Sequence, residues 1–295
     1  MKGAVPVIMI HEIAPHIFNN QFKKDAVLSH DSLIFVFGHE NEPNYGGGAV
    51  LTTDHRIPRF SDLSGLKRDS LTYLFSIDGI DCFLLREDLP ETGAEDSGFV
   101  FRSFRHVRNV QDIPEYEHFL AVTAFQLHNW YKNNIYCGHC GSETTLSEKE
   151  RAIICPKCGR IIYPRIVPAV TVAIIDRERD KLLLTQYVGR DFTFYALVAG
   201  FTEIGETLEE TVKREVMEET GLKVKNIRYY GSQPWGIVDN LMVGFYCELE
   251  GSCEIVRDTE ELKLAEWFSR EEVELQPTDM SLTNNMMKAF KEGRI

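Results

Sequence analysis

Apolar and polar positions alternate in different ways along the chain. In the first 133 residues, short apolar runs at Leu33–Phe37, Leu71–Ile77 and Cys82–Leu85 are separated by turn-rich stretches at Gly46–Gly48 and Glu91–Gly98. This spacing predicts a mostly β region. The triple glycine lacks the Gly-Lys-Ser/Thr ending of a phosphate loop and reads as a turn. Over residues 115–133, Phe119, Val122, Phe125 and Trp130 recur near helical spacing, which predicts a helix. After Pro164 and Pro168, the run Ala169–Ile175 reads as a strand, with Lys181–Tyr187 as its hairpin partner. Leu241–Leu249 and Leu264–Phe268 are further strand candidates, and residues 281–292 form a candidate terminal helix. Strands mixed with helices predict an α/β class for this last part. No internal repeat, low-complexity tract or heptad pattern is visible.

The segment 200–222 carries the sharpest pattern. Thr207 followed by Glu210 is a capping box, and Gly221 is placed to end a helix in a left-handed turn, so the helix is predicted over 208–220. At ~100° per residue, Leu208, Val212, Glu215, Val216 and Glu219 share one face. Glu215 and Glu219 therefore lie along the apolar stripe, and Glu218 flanks them. Carboxylates converging on a buried face repel one another and resist desolvation. A bound cation relieves both costs, and hard oxygen ligands select Mg²⁺ or Mn²⁺. Glu206, in the preceding loop, can join the cluster, and Arg214 can pair with an acid and hold that loop. A solvated acidic face is the ordinary alternative. The coincidence of acids with the stripe, and the loop glycines Gly200 and Gly205, weigh against it.

Charge sharpens this picture. Of 295 residues, 45 are acidic and 32 basic, a net charge of −13. Residues 200–222 hold seven acids against two bases, and residues 248–274 ten against three. The balance excludes a polybasic membrane anchor and a dominant non-specific nucleic-acid binder. The acidity is concentrated in these two segments, and the rest of the chain is nearly neutral. The longest apolar stretches, such as Val170–Ile175, fall far short of the ~20 residues a spanning helix needs. His11 and Glu12 interrupt the apolar run Ala4–Ile10, and no small-residue cleavage site follows. The expected location is cytoplasmic, with no membrane partner.

Of seven cysteines, four form two Cys-x-x-Cys pairs, Cys137/Cys140 and Cys155/Cys158, with fourteen residues between them. Each pair ends in glycine, which lets the chain curl so that its amides face the sulfurs. Four thiolates at this spacing suit one tetrahedral Zn²⁺ per chain. A full set of sulfur ligands leaves no open position, so the zinc is expected to be structural. Unrelated buried thiols and a redox pair are the alternatives, and the duplicated pair argues against the second. His139 is expected to point away. Cys82, Cys247 and Cys253 are expected to be ordinary buried or partly buried thiols.

Gly200 to Leu222 matches Gly-x5-Glu-x7-Arg-Glu-U-x-Glu-Glu-x-Gly-U, U being a bulky aliphatic residue, at every specified position. The segment resembles the Nudix box. That resemblance implies an α/β/α sandwich with a mixed sheet and hydrolysis of nucleoside diphosphate derivatives with Mg²⁺ or Mn²⁺. An N-terminal α+β domain (1–133), a four-cysteine zinc ribbon (134–164) and a Nudix domain (165–295) follow one another. That order is similar to the NADH pyrophosphatase family. Ser232-Gln233-Pro234-Trp235 matches the first half of that family's Ser-Gln-Pro-Trp-Pro-Phe-Pro-x-Ser signature, and Tyr163-Pro164-Arg165 also resembles it. The chain departs from the signature at Gly236-Ile237-Val238-Asp239-Asn240. The likeness covers the chain from about residue 100 onward.

By resemblance, Ala199 (through its carbonyl), Glu215, Glu219 and Glu261 would bind the catalytic cations, with Glu260 the neighbouring alternative to Glu261. Glu218 or another box acid would accept a proton. Tyr163, residues Gln233, Pro234, Trp235, Gly236, Ile237, Val238, Asp239 and Asn240, and Arg105 would contact substrate. For Tyr163 and Trp235, base stacking and core packing stay open, and Arg102 and Arg108 read as solvated. The implied reaction cleaves NAD(H) to NMN(H) and AMP, and the same bond is broken in removing NAD caps from RNA. No Rossmann glycine pattern follows a strand, so NAD would be cleaved rather than used in hydride transfer. A homodimer is implied. The altered 236–240 segment keeps a second substrate class open, ADP-ribose or a dinucleoside polyphosphate. A non-catalytic nucleotide-binding regulator is a third possibility, and the complete set of box glutamates weighs against it.

Overall fold

The computed structural model describes residues 9–39, 47–63, 65–86, 98–103, 113–189, 194–277 and 280–295. Its contacts divide the chain into two compact units. One comprises Ile13–Arg165 with Trp235–Asp239; the other comprises Met1–Glu12, Ile166–Pro234 and Asn240–Ile295.

Among the described residues, the first unit contains three small sheets, two of them N-terminal to the ribbon. Strands β1 (Phe18–Asn19), β2 (Ile34–Phe35), β3 (Phe37–His39), β4 (Gly47–Thr52), β5 (Leu71–Ile77), β6 (Ile80–Leu85) and β7 (Phe99–Ser103) are arranged as β1-β5-β6-β2 and β3-β4-β7. The β5–β6 hairpin turns on Asp78 and Gly79, both at positive φ (51° and 81°), the two-residue turn whose twist matches the flanking strands. Gly47 and Gly48 pair with His39 and Gly38 in β4 instead of forming the expected turn; Gly46 lies outside the described residues. Helix α1 (Glu115–Asn133) matches the predicted span. Phe119 and Phe125 pack edge-on against Phe18 and Phe37, with ring centroids 5.0 and 5.4 Å apart. Strands β8 (Thr145–Leu146), β9 (Ile153–Ile154) and β10 (Ile161–Ile162) form the small antiparallel sheet of the ribbon.

The second unit is a mixed sheet held between two helices. Strands β11 (Val167–Asp176), β12 (Lys181–Tyr187), β13 (Val198–Phe201), β14 (Lys223–Trp235), β15 (Asn240–Glu250) and β16 (Leu262–Ser269) are ordered β14-β15-β11-β12-β16, with β13 also pairing β11. The β11–β15 pair is parallel and the β11–β12 pair antiparallel. Alternate residues of a strand face opposite sides of its sheet. Val170, Val172, Ile174, Val243, Phe245 and Cys247 pack with Val212 and Val216 of α2 (Leu208–Thr220). Ala173, Ile175, Leu182, Leu184 and Tyr246 pack with Leu282, Met286, Met287 and Phe290 of α3 (Leu282–Lys291). The result is the α/β/α sandwich that the resemblance implies. Two strands escaped the sequence pattern, β13 and the long β14. Among the described residues no helix is long and apolar enough to cross a membrane.

Candidate active site

Strand β13 and helix α2 bring the box residues together. Ala199 pairs with Thr171 and Gly200 with Val170 across β11–β13, which fixes the backbone on which the helix face closes. Thr207 Oγ1 accepts from the Glu210 N–H at 3.2 Å, and Glu210 Oε2 accepts from the Thr207 N–H at 2.8 Å, so the predicted capping box starts α2. Gly221, at φ 68°, ends it. The apolar stripe of α2 carries the acids inward as the wheel predicts: Glu215 is 8% exposed and Glu219 1%. Glu218 remains exposed.

Gly200 is where this burial is enabled. A Cβ there would lie 2.0 Å from Glu215 Cδ and 2.1 and 2.3 Å from its oxygens. The carboxylate occupies the space a side chain would take.

Arg214 ties the loop to the helix. Its Nε and Nη2 donate to the two oxygens of Glu206 at 2.6 and 3.0 Å, and Nη2 also donates to the Phe201 carbonyl at 2.9 Å. Nη1 donates to Glu215 Oε1 at 2.7 Å and Glu218 Oε2 at 2.9 Å. All five guanidinium N–H groups are thereby used. Glu206 also accepts from the Glu203 N–H and Thr211 Oγ1 at 3.1 and 3.0 Å. Its bonds to Arg214 above all hold its carboxyl down at about 2. Glu206 is thus a loop anchor with both oxygens engaged, rather than a further member of the buried cluster.

Burial raises the pKa of Glu215, and the Arg214 guanidinium opposes the rise. Glu219 is pushed up to about 8, first by burial and then by the charge of Glu215. The charge of Glu261 raises both. Glu261 is set by its neighbours: its carbonyl accepts from Val188 N–H at 2.8 Å, and Leu262 beside it is fully buried. The same connecting segment closes the end of α2, where Val256 and Asp258 N–H groups donate to the Thr220 and Glu219 carbonyls at 2.9 and 3.0 Å. Tyr187, which the sequence pattern did not single out, reaches Glu219: its hydroxyl lies 3.2 and 3.3 Å from the carboxylate oxygens.

Two buried carboxylates one turn apart on α2, both with raised pKa values, are a donor set that suits a hard divalent cation, and Glu261 lies exposed beside the end of that helix. The oxygens of Glu215, Glu219 and Glu261 do not all come within 4.8 Å of one another; among the described residues, only the four cysteines form such a group.

In that group Cys137 Sγ is 3.7 Å from Cys158 Sγ, and Cys140 Sγ 3.5 Å from Cys155 Sγ. Tetrahedral Zn–S bonds of ~2.3 Å place sulfurs about 3.8 Å apart, so the cysteines fit zinc. Gly141 and Gly159 take φ 69° and 74°, and their N–H groups donate to the Cys137 and Cys155 carbonyls. The turn aims the Ser142 N–H at Cys140, whose thiol is lowered to about 6 chiefly by it. Cys82 and Cys247 are buried as expected; Cys253 is exposed, against expectation.

The residues expected to contact substrate are divided. Gln233 is buried, with Nε2 donating to the Met280 carbonyl and Oε1 accepting from Leu282 N–H, both at 2.6 Å. Its amide clamps the start of α3. Asn240 is 5% exposed, and its Oδ1 has no hydrogen-bond partner among the described residues. Pro234 is exposed, and Trp235, Ile237 and Val238 are half-buried. Gly236 passes so close to α1 that a Cβ would lie 2.6 Å from the Val122 carbonyl oxygen. Asp239 takes φ 59°; burial raises its pKa and Arg165 opposes the rise. Tyr163 is 56% exposed and its hydroxyl donates to Glu150 at 3.1 Å, so its ring is not core packing. Arg105 and Arg108 lie outside the described residues.

Comparison with known proteins agrees with these features. Residues 165–290 match the NUDIX domain model, and residues 132–163 match the NADH pyrophosphatase zinc ribbon domain model. The chain is 41% identical over 182 residues to a protein named NAD-capped RNA hydrolase NudC from Escherichia coli O1:K1 / APEC, covering 62% of this chain and 70% of that protein. The same figures hold for its counterpart from Escherichia coli strain SMS-3-5. Among solved structures, a NUDIX hydrolase from Nitrosomonas europaea is 26% identical, with a TM-score of 0.45, covering 54% of this chain and 91% of that one.

Proposed function

The chain belongs to the NADH pyrophosphatase family of Nudix hydrolases, and from that premise we propose that it hydrolyses the diphosphate of NAD(H) to NMN(H) and AMP and removes NAD caps from RNA 5′ ends. The observation that carries this is the box geometry: Glu215 and Glu219 buried side by side on α2, with Arg214 spending every donor on Glu206, Phe201, Glu215 and Glu218. The naming of the Escherichia coli relatives as NAD-capped RNA hydrolases supports the second substrate.

Glu215, Glu219, Glu261 and the Ala199 carbonyl would hold the divalent cations, Mg²⁺ or Mn²⁺. When bound, such a cation neutralises diphosphate charge and lowers the pKa of an attacking water. Glu218, exposed and one turn from Arg214, takes the proton of that water on a carboxylate oxygen. The water oxygen bonds to phosphorus, the P–O–P bridge breaks and the leaving phosphate carries the electron pair. Arg214 holds the box loop still throughout. Tyr163 offers an exposed ring for a base, and residues 233–240 with Arg105 complete the recognition set. In that set Gln233 acts by bracing its strand end, because its amide is already engaged. The zinc ribbon is structural. The working form is a cytoplasmic homodimer.

The altered Gly236–Asn240 segment favours one second reading, a Nudix hydrolase for ADP-ribose or a dinucleoside polyphosphate. Products are separated by chromatography after incubation with NADH, ADP-ribose and NAD-capped RNA, each with Mg²⁺ or Mn²⁺. AMP with NMNH is expected; brisk ADP-ribose turnover beside inert NADH would favour the second reading, and no turnover at all would favour a regulator. Glu219→Gln should abolish turnover and leave about one zinc per chain; full activity would overturn the assignment.

A further inference from the structure

A phenol outside the box lies between two groups assigned to the cation. Tyr187 ends β12, and its hydroxyl accepts from the Ala199 N–H at 2.9 Å. The same oxygen lies 3.2 and 3.3 Å from the Glu219 carboxylate oxygens, 3.3 Å from the Leu197 carbonyl and 3.4 Å from the Ala199 carbonyl. A phenol has one proton to give. With the Ala199 N–H on its lone pair, that proton turns to Glu219 or to the neighbouring carbonyls. Ala199 stands on β13 and Glu219 on α2, and Tyr187 touches both from a third element.

We infer that Tyr187 is a positioning residue for the divalent-cation site: its hydroxyl holds residue 199 and the Glu219 carboxylate in fixed relation. This rests on Glu219 and Ala199 being ligands, as proposed above. The physical reason is rotational. A carboxylate free to turn about its last bond presents a cation with a range of oxygen positions, and a donor on one of those oxygens selects among them. Hydrogen-bond partners of metal ligands commonly account for ~10–100-fold in metal affinity.

The test is a Mn²⁺ titration of the zinc-loaded full chain without substrate, read by the electron paramagnetic resonance of free Mn²⁺. Tyr187→Phe keeps the ring and removes the hydroxyl. It should weaken Mn²⁺ binding ~10–100-fold while zinc content stays at wild type. Turnover should recover toward wild type as Mn²⁺ is raised, with the KM for NADH unmoved. In a Glu219→Gln background the same change should add less than about threefold, because neighbours in one network are not additive. Replacement of Tyr187 by 4-aminophenylalanine, which keeps a donor at the ring tip, should restore binding and serves if the Phe variant does not fold. An unchanged Mn²⁺ affinity in Tyr187→Phe would overturn the inference, as would an equal loss in the Glu219→Gln background. If Glu219→Gln alone leaves Mn²⁺ binding intact, the ligand assignment itself falls, which separates the two failures.

Discussion

Gly200→Ala isolates the close approach on which the buried carboxylates depend. The glycine is not held at a left-handed φ, so the backbone accepts alanine and the cost lies in the added methyl. That methyl would sit 2.0 Å from Glu215 Cδ, where an ordinary contact begins at 3.4 Å. Glu215 must retreat by roughly 1.4 Å, the shortfall from ordinary carbon contact, and its retreat is opposed by the 2.7 Å bond to Arg214. Overpacking of this kind costs about 1–3 kcal/mol of stability, which lowers Tm by a few degrees. The larger effect is on rate. Misplacing a reacting or ligating group by about 1 Å costs on the order of 10²-fold, which corresponds to about 2.7 kcal/mol of transition-state stabilisation. The assay is chromatographic release of AMP and NMNH from NADH with saturating Mn²⁺, alongside thermal melting to show that the chain remains folded. Expected are a folded variant and a kcat reduced ~10²-fold or more. Combined with Glu215→Gln, Gly200→Ala should cost little further, because both act on one carboxylate. A Gly200→Ala enzyme with kcat within threefold of wild type would refute the reasoning, since it would mean that the position of Glu215 does not matter.

Three further outcomes follow from the same geometry. Glu206 has its folded pKa held at about 2, below the ordinary ~4.3 of a glutamate, so its contribution is complete above about 4.3 and is lost as pH falls toward 2; Glu206→Gln should flatten that part of the acid-unfolding curve followed by circular dichroism. Cys155→Ser should lower zinc, measured by plasma mass spectrometry, from about one per chain to background and unfold the ribbon, because metal binding and local folding are linked. Gly236→Ala places a methyl 2.6 Å from the Val122 carbonyl oxygen, a backbone atom that does not yield cheaply; steady-state kinetics should show a raised KM for NADH with Mn²⁺ affinity unchanged, and denaturant unfolding should show stability lower by about 1–3 kcal/mol.

What was legible in the sequence is what local rules decide. Helix α2 could be placed to the residue because its start and end are written in side chains that bond within one turn, Thr207, Glu210 and Gly221. The burial of Glu215 and Glu219 followed from the helical wheel once Val212 and Val216 defined the inward face. Strand β14 was not legible, since of its thirteen residues only Val224 and Gln233 are buried and it lies at the end of the strand order; an edge strand with one sparse apolar face shows little alternation. Strand β13 is four residues long and exists through its pairing with β11. Arg214 could be read as an ion-pair partner, but its use of all five donors depends on the loop folding back to bring the Phe201 carbonyl within 2.9 Å. Tyr187 gave no signal, because its distance to Glu219 is set by non-local strand pairing.

The residues proposed to hold the cations and those proposed to contact substrate are divided between the two units. Ala199, Glu215, Glu218, Glu219, Glu261, Arg214 and Tyr187 all belong to one unit. Tyr163 and Trp235–Asp239, which include most of the segment that departs from the family signature, belong to the other. Burial above all raises the pKa values of Glu215 and Glu219, and the charges of neighbouring acids add to the rise. They are held by ties internal to their own unit: the Arg214 fork, the amides of Val256 and Asp258 on the end of α2, and the Tyr187 hydroxyl. None of these ties passes through residues 235–239. Changes there therefore leave these ties in place. Substitutions in 235–239 should act on KM and on the ratio of NADH to ADP-ribose turnover, whereas substitutions among the ties should act on kcat and on the metal-activation curve. A variant of residues 236–239 that lowered kcat for every diphosphate to the same degree would show that the two functions are not separable in this way.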